Sequence, residues 1–313
     1  MKRLVLALAT ALAVTLTSPA LAADKLTVLL DWFVNPDHAP LVIAKEAGYF
    51  DEEGLDVTLV PPADPSAPPR LVAAGKGDIA ISYQPNLYQH VAEGLPLVRF
   101  GTLVETPLNT VVALADGPVK EIADLKGKKV GFSVAGFEDA ILGAMLKNAG
   151  LTMDDVELVN VNFALSPALL AGRVDAVVGS FRNFELTQLE LEGSKGRAFY
   201  LEEHGVPVYD ELIYLAHRDH LDDARLRRFL AAVEKASIFL TNHPEEARQM
   251  FLKAHPDLDN ELNRRAFMDT IPRFAKRPAA LDSARYKRFA AFMKTSGLID
   301  EVRPVGDYAV ELE

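Results

Sequence analysis

The stretches Leu71-Val72-Ala73-Ala74-Gly75-Lys76-Gly77-Asp78-Ile79-Ala80-Ile81-Ser82 and Leu169-Leu170-Ala171-Gly172-Arg173-Val174-Asp175-Ala176-Val177-Val178-Gly179-Ser180 follow one pattern. Sliding one onto the other aligns Ala74–Asp78 with Ala171–Asp175. In each, an apolar helix-like run reaches Gly, a basic residue follows, and Asp leads into a β-branched strand. Gly suits the left-handed position that ends a helix, because without a Cβ it adopts positive φ at little cost. The echo extends upstream. Leu26–Leu30 corresponds to Lys129–Ser133, the helices that follow end at Ala47-Gly48 and Ala149-Gly150, and strands come next at Leu55–Val60 and Val156–Val161. A β-α-β-α-β unit therefore occurs twice. The fold class expected is α/β with two similar lobes, each a β-sheet flanked by helices, and ligands favour the cleft that such lobes make.

The N-terminus reads as an address. Met1-Lys2-Arg3 is basic, Leu4–Thr17 is apolar and uncharged, Pro19 breaks the run, and Ala20-Leu21-Ala22 is a small-x-small site. This is the pattern of a secretory signal peptide over 1–22, with cleavage expected after Ala22. The apolar run is short for a membrane span, and no later stretch reads as one. The chain has no Cys, so it forms no disulfides and lacks the anchor residue of a lipoprotein. A soluble periplasmic monomer is expected, not itself membrane-spanning.

Of the 313 residues, 49% are hydrophobic, enough for a full core in two domains of ordinary size. Losing Lys2 and Arg3 with the leader leaves 31 basic against 44 acidic residues and takes the formal charge from −11 to −13. So acidic a chain is a poor partner for nucleic acid or an anionic membrane surface.

Lobe one is assigned to 24–112 plus 214–313, and lobe two to 113–213. The β-branched run Thr110–Ala115 and the strand-like Glu211–Ala216 are read as the two crossover segments. Beyond 217 the apolar spacing is helical (Leu226, Phe229, Leu230, Val233), and this part is expected to pack back on lobe one. Pro61–Pro69 reads as a rigid loop, with Ser66 a candidate helix cap.

Parallel strands present their ligand-binding loops at their carboxyl ends. Those loops are Asp31–His38, Tyr83–Asn86, Ser133–Glu138 and Ser180–Glu185. They hold the single Trp (Trp32) with Tyr83, Phe137, Phe181 and Phe184, and also Asn35, His38, Asn86, Asn183 and Glu185. Aromatic faces beside amides and a carboxylate suit a flat ring with polar edges; each aromatic pair adds about 0.5–1.5 kcal/mol beyond burial. The Gly-containing turn Ser133–Phe137 can hold an anion or acceptor at a helix start, though it lacks the spacing of a phosphate-binding fingerprint. Arg182 can meet a ligand anion or a surface carboxylate. Signals for catalysis are thin: there is no Cys nucleophile and no G-x-S-x-G elbow, and His217-Arg218-Asp219-His220 is weak as a metal motif. Asp78 and Asp175 read as backbone-capping residues. No catalytic residue, metal or cofactor is expected.

Leu30-Asp31-Trp32-Phe33-Val34-Asn35-Pro36-Asp37-His38, Ala44–Phe50, Glu53–Val57, Gly75–Asp78, Ser82-Tyr83-Gln84-Pro85 and Gly172–Gly179 together resemble the thiamine-pyrimidine-precursor binding family. That family joins solute-binding proteins of ABC transporters with the fungal enzyme that makes the thiamine pyrimidine. The Ala-Lys-Glu-x-Gly-Tyr-Phe and Gly-Leu-Asp-Val pieces are shared with sulfonate and nitrate binders, whereas Asp-Trp-x-x-x-Pro-x-His and Ser-Tyr-Gln-Pro are more specific. The resemblance spans about residues 25–216. It implies a two-lobed periplasmic binding protein fold of type II, hinged at two crossovers. The implied ligand is an aminopyrimidine, formylaminopyrimidine or hydroxymethylpyrimidine, and the implied partner an inner-membrane ABC permease. On this resemblance Trp32 and Tyr83 stack on the ring, Asn35 and Glu185 bond its amine and nitrogen edge, and His38, Phe137, Phe181 and Asn183 complete the site. Two alternatives stay open. One is a binder of riboflavin or a sulfonate such as taurine. The other is a pyrimidine-precursor synthase, against which stand the leader and the missing Cys-rich loop of the fungal enzyme.

Overall fold

The computed structural model describes residues 22–312. The signal-peptide reading of 1–22 lies, apart from Ala22, outside them. The first lobe is built from β1 (Asp24–Leu29), α1 (Ala39–Glu46), α2 (Tyr49–Glu52), β2 (Leu55–Val60), α3 (Pro68–Ala73), β3 (Ile79–Ser82), α4 (Gln84–Ala92) and β4 (Leu97–Val104). The second holds β5 (Asn109–Leu114), β6 (Lys129–Phe132), α5 (Glu138–Asn148), β7 (Glu157–Asn160), α6 (Leu165–Leu170), β8 (Ala176–Phe181), α7 (Glu185–Leu191) and β9 (Gly196–Tyr200). The chain then returns through β10 (Leu212–His217) to α8 (Ala224–Asn242), α9 (Pro244–Ala254), α10 (Glu261–Thr270) and α11 (Ser283–Thr295).

The two sheets repeat one topology, β2-β1-β3-β10-β4 and β7-β6-β8-β5-β9. In each, three parallel strands are followed by one antiparallel strand, and the edge strand beyond it runs parallel to the first three again. The fourth place is taken by the strand that has just crossed over from the other lobe. The duplicated sequence does the same work twice. Gly75 and Gly172 end their helices at φ +70° and +65°. Asp78 Oδ2 accepts from the Thr27 amide (2.7 Å) and Asp175 Oδ2 from the Lys129 amide (2.9 Å), each tying the third strand to the first.

The crossovers are displaced from the expected boundaries. The chain leaves the first sheet after Val104 and enters the second at Asn109, so 109–112 belong to lobe two rather than lobe one. Leu212 and Ile213 likewise already pair in the first sheet. The β-branched run Thr110–Ala115 marks a buried strand, and burial on both faces selects for it wherever the strand lies. The linkers proper are the short segments 105–108 and 205–211. They are clamped together by Glu211, whose Oε2 accepts from the Leu108 amide (2.5 Å), the Asn109 amide (2.9 Å) and the Tyr209 hydroxyl (3.0 Å).

Strands β3 and β4 are buried along their whole length. Helix α8 crosses α1 and α2. Its Phe229 stacks on Phe50 at 5.6 Å and meets Tyr214 of β10 edge-on at 5.1 Å. A fully buried Phe of this kind contributes about 1.5–3 kcal/mol by burial. The C-terminal helices thus do pack on lobe one, with one addition. Helix α10 also touches α7 of lobe two, and Arg265 pairs there with Glu190 at 2.9 Å.

Candidate functional site

The carboxyl ends of the parallel strands of both lobes face one narrow cleft. It is lined by Asp31, Trp32, Asn35, Asp37 and Tyr83 from lobe one and by Glu138, Leu165, Gly179, Phe181, Phe184 and Glu185 from lobe two.

After β1 the chain turns into a short 3-10 segment, Pro36–His38. Asn35 caps it: Asn35 Oδ1 accepts from the Asp37 amide (2.8 Å), and His38 Nδ1 accepts from the Asn35 amide (3.3 Å). With Nδ1 accepting, the imidazole proton sits on Nε2 and is donated to Asp31 Oδ1 (2.9 Å). The Tyr83 hydroxyl donates to the other oxygen of Asp31 (3.0 Å). His38 is therefore wholly buried behind the cleft wall, orienting Asp31 instead of lining the cavity.

Tyr83 lies on Phe137 of the opposite lobe at 5.0 Å and 17°, and Phe137 meets Tyr209 edge-on at 6.2 Å. The three rings form a seam across the two lobes and the return crossover. Burial holds the Tyr83 phenol well above its ordinary range. Phe137 packs within this seam and is not among the lining residues. Asn183 is a second tie between lobes: its Nδ2 donates to Asp37 Oδ1 and to Thr270 Oγ1, both at 2.6 Å. It too stands behind the wall. Ser66, expected as a helix cap, reaches across as well, its Oγ accepting from the Ala135 amide at 3.3 Å.

The turn after β6 is closed by the chain's own carboxylate. Glu138 Oε2 accepts from the Ser133 amide (2.6 Å) and fills the position at the start of α5 that an anion would take. The anion-holding reading of Ser133–Phe137 does not survive this. Glu138 lies under Gly179, where φ is +96° and an added Cβ would meet Glu138 Oε1 at 2.2 Å. Glycine there is what lets the carboxyl approach the strand. The next loop repeats the device: Glu185 opens α7 and folds back to accept from the Phe181 amide at 2.6 Å. Arg182 turns away to a surface carboxylate, pairing with Glu202 at 2.6 and 2.9 Å.

The cleft is consequently acidic and aromatic. Asp31, Asp37, Glu138 and Glu185 all line it, and no Lys, Arg or His is found among its described lining residues. Burial pushes the Glu138 and Glu185 carboxyls up to about 8 and that of Asp37 to about 6. Burial also raises Glu211, at the hinge, to about 7. A site of this kind favours a ring whose edge donates hydrogen bonds, and it offers an anion no positive partner. Of the expected residues, Trp32, Asn35, Tyr83, Phe181 and Glu185 line the cavity, while His38, Phe137 and Asn183 do not. Asp31, Asp37, Glu138, Leu165, Gly179 and Phe184 were outside the expected set. Four of these stand in strand-end loops already singled out, so their position was a usable signal. Leu165 opens α6, just beyond the loop that follows β7.

A family model described as NMT1/THI5 like matches residues 35–247. A Haemophilus influenzae protein named for thiamine biosynthesis is 52% identical over 299 residues, covering 95% of each chain. The formylaminopyrimidine-binding protein of Halalkalibacterium halodurans is 36% identical over 233 residues, 74% of this chain and 71% of that one. Among solved structures, the alkanesulfonate-binding protein SsuA of Xanthomonas axonopodis pv. citri, bound to MOPS, superposes with a TM-score of 0.72 at 17% identity, over 93% of this chain and 99% of that one. At that identity the likeness speaks to the fold, which is that of the two-lobed periplasmic binding proteins.

Proposed function

The chain belongs to the NMT1/THI5-like family, and from that premise we propose that it is the periplasmic solute-binding component of an ABC importer. Its ligand is a thiamine pyrimidine precursor, formylaminopyrimidine or hydroxymethylpyrimidine, which it delivers to an inner-membrane permease. The observation that carries this reading is the cleft itself, with four carboxyl side chains, aromatic rings and no cation among its described lining residues. An aminopyrimidine is a flat ring with a donor edge. Trp32 and Tyr83 supply faces, and Glu185 with Asn35 supplies acceptors for the amine. The lack of a Lys, Arg or His among the described lining residues argues against a sulfonate. The 36% identical relative that is named for formylaminopyrimidine binding supports the choice of ring.

We read the protein as a binder without turnover. Both nitrogens of His38 are engaged within the chain and the residue is fully buried, so its role is to orient Asp31. The leader-like N-terminus supports delivery to the periplasm, and among the described residues no helix is long and apolar enough to cross a membrane.

The test uses the single Trp. Fluorescence of Trp32 is titrated with formylaminopyrimidine, hydroxymethylpyrimidine, thiamine, riboflavin and taurine. Saturable change with an aminopyrimidine alone is expected. A response confined to taurine or riboflavin would overturn the ligand assignment.

The raised carboxyls predict how stability follows pH. Between the ordinary carboxylate range and about 8, the folded protein holds protons on Glu138, Glu185 and, over part of that range, Asp37 and Glu211, which the unfolded chain has released. Stability of the ligand-free protein therefore falls as pH rises through this window. A thermal melt series from pH 5 to pH 8 is expected to show a declining Tm, and Glu185→Gln should flatten the decline. An amine-bearing ligand, which stabilises the ionised carboxyls, should raise Tm more at pH 8 than at pH 5. A Tm that climbs over this interval would contradict the assignment.

A further inference from the structure

Phe33 is 51% exposed, the highest value among the exposed large hydrophobic side chains of the described residues. It belongs to the loop after β1, next to Trp32. Its ring lies against Phe163 of the other lobe, with centroids 4.3 Å apart at 38°. Trp32 meets the same Phe163 edge-on at 4.6 Å. Phe163 follows β7, in the loop that enters α6, so its ring closes the mouth of the cleft against two aromatics of lobe one.

The backbone that presents Phe163 is specially held. Asn162 has φ +51°, and among the described residues it is the only non-glycine at positive φ, a region that L-residues seldom adopt. Its amide donates to Asn160 Oδ1 at 2.8 Å, and its carbonyl accepts from the Ser133 hydroxyl. Both partners lie in lobe two. The turn is thus organised within its own lobe, independently of the contact it offers to the other.

We propose that Phe163, with Phe33, is an aromatic latch. It meets Trp32 when the lobes close and sets how long the ligand stays bound. The inference takes from the proposed function only that a small ring-bearing ligand lies against Trp32. A ring at the rim that is organised before closure acts after the ligand has entered. Its loss therefore speeds release and leaves capture nearly unchanged, the usual division of effects among variants of one interface. With two aromatic contacts removed, Phe163→Ala should release ligand about tenfold faster.

Two measurements test this. In the first, release of radiolabelled formylaminopyrimidine is chased with unlabelled ligand for the wild type, Phe163→Ala and Phe163→Leu. Faster release from the Ala variant with association within about twofold of wild type, and an intermediate rate for Leu, are expected. An unchanged release rate, or a loss carried by association, overturns the latch. The second measurement has a ligand-free arm that does not depend on the ligand's identity. The chain has no Cys, so a Phe33→Cys/Phe163→Cys variant offers only those two thiols to a short bismaleimide. Cross-linking is expected in the ligand-free protein and faster with the pyrimidine. Cross-linking that the pyrimidine does not accelerate would support the latch and count against the ligand assignment. Absence of cross-linking in both conditions overturns the latch.

Discussion

Replacing Trp32 with alanine is expected to weaken formylaminopyrimidine binding by about thirtyfold or more, with the protein still folded. The magnitude follows from what a Trp does at a binding centre, where its truncation commonly costs at least about 2 kcal/mol. The ring lines the cleft and is braced from the far lobe by Phe163 at 4.6 Å. Its removal takes away the ligand's largest apolar face and the contact that holds the closed cleft at that point. The fold is spared because Trp32 is only half-buried and stands outside the hydrophobic core. The substitution also removes the fluorophore, so the measurement is calorimetric titration, with circular dichroism to establish folding. Affinity within about threefold of wild type, less than the usual cost of losing a Trp contact, would take Trp32 out of the pocket.

The second large effect concerns stability. Arg99 sits in the middle of β4 and is fully buried. Its guanidinium donates to the carbonyls of Ala280 (2.5 Å), Val310 (3.1 Å) and Ala279 (3.4 Å), and to Thr102 Oγ1 (2.7 Å). Thr102 in turn donates to Asp210 in the return crossover at 3.0 Å. The backbone of Arg99 also pairs with the C-terminal segment, donating to the Tyr308 carbonyl and accepting from the Val310 amide. One side chain thus fastens the segment before α11 and the C-terminal segment to the first sheet. Arg99→Met keeps most of the volume and leaves those half-buried carbonyls without their donor. The expected cost is about 2–4 kcal/mol, since each orphaned acceptor loses roughly 1 kcal/mol or more. For a protein of this size that lowers Tm by about 3–7 °C. Calorimetric melting of the two proteins side by side decides it. A Tm within about 2 °C of wild type would mean that the carbonyls find other donors.

The two residues differ in how far the sequence discloses them. Trp32 was legible as a strand-end aromatic. Arg99 was not legible at all: a lone basic residue inside Leu97–Val104 carries no local mark of being a buried anchor, because its partners lie at positions 279, 280 and 310. The same distinction divides the site. Loop position predicted that Asn35, Tyr83, Phe181 and Glu185 would reach the cleft, and they line it. Loop position could not supply side-chain direction. His38 turns inward because Asn35 caps the turn beside it, Phe137 is drawn into the seam between Tyr83 and Tyr209, and Asn183 is held by Asp37 and Thr270. Phe163 carries the same positional signal, since it follows the predicted strand Val156–Val161 and its ring meets Trp32.

What the chain determined by itself is the duplicated architecture. Helix-ending Gly75 and Gly172, the strand-tying Asp78 and Asp175 and the β-branched runs act over a few residues or one strand spacing, so their pattern is written locally and survives in both lobes. Tertiary structure alone decided where the chain crosses between the sheets, which loop residues line the cleft and how many carboxyls it gathers. Those properties arise between residues far apart in the chain. The carboxyls of Glu138 and Glu185 leave their ordinary range only once burial strips away their water. The aromatic contact of Phe163 from one lobe with Phe33 and Trp32 of the other likewise exists only in the folded chain.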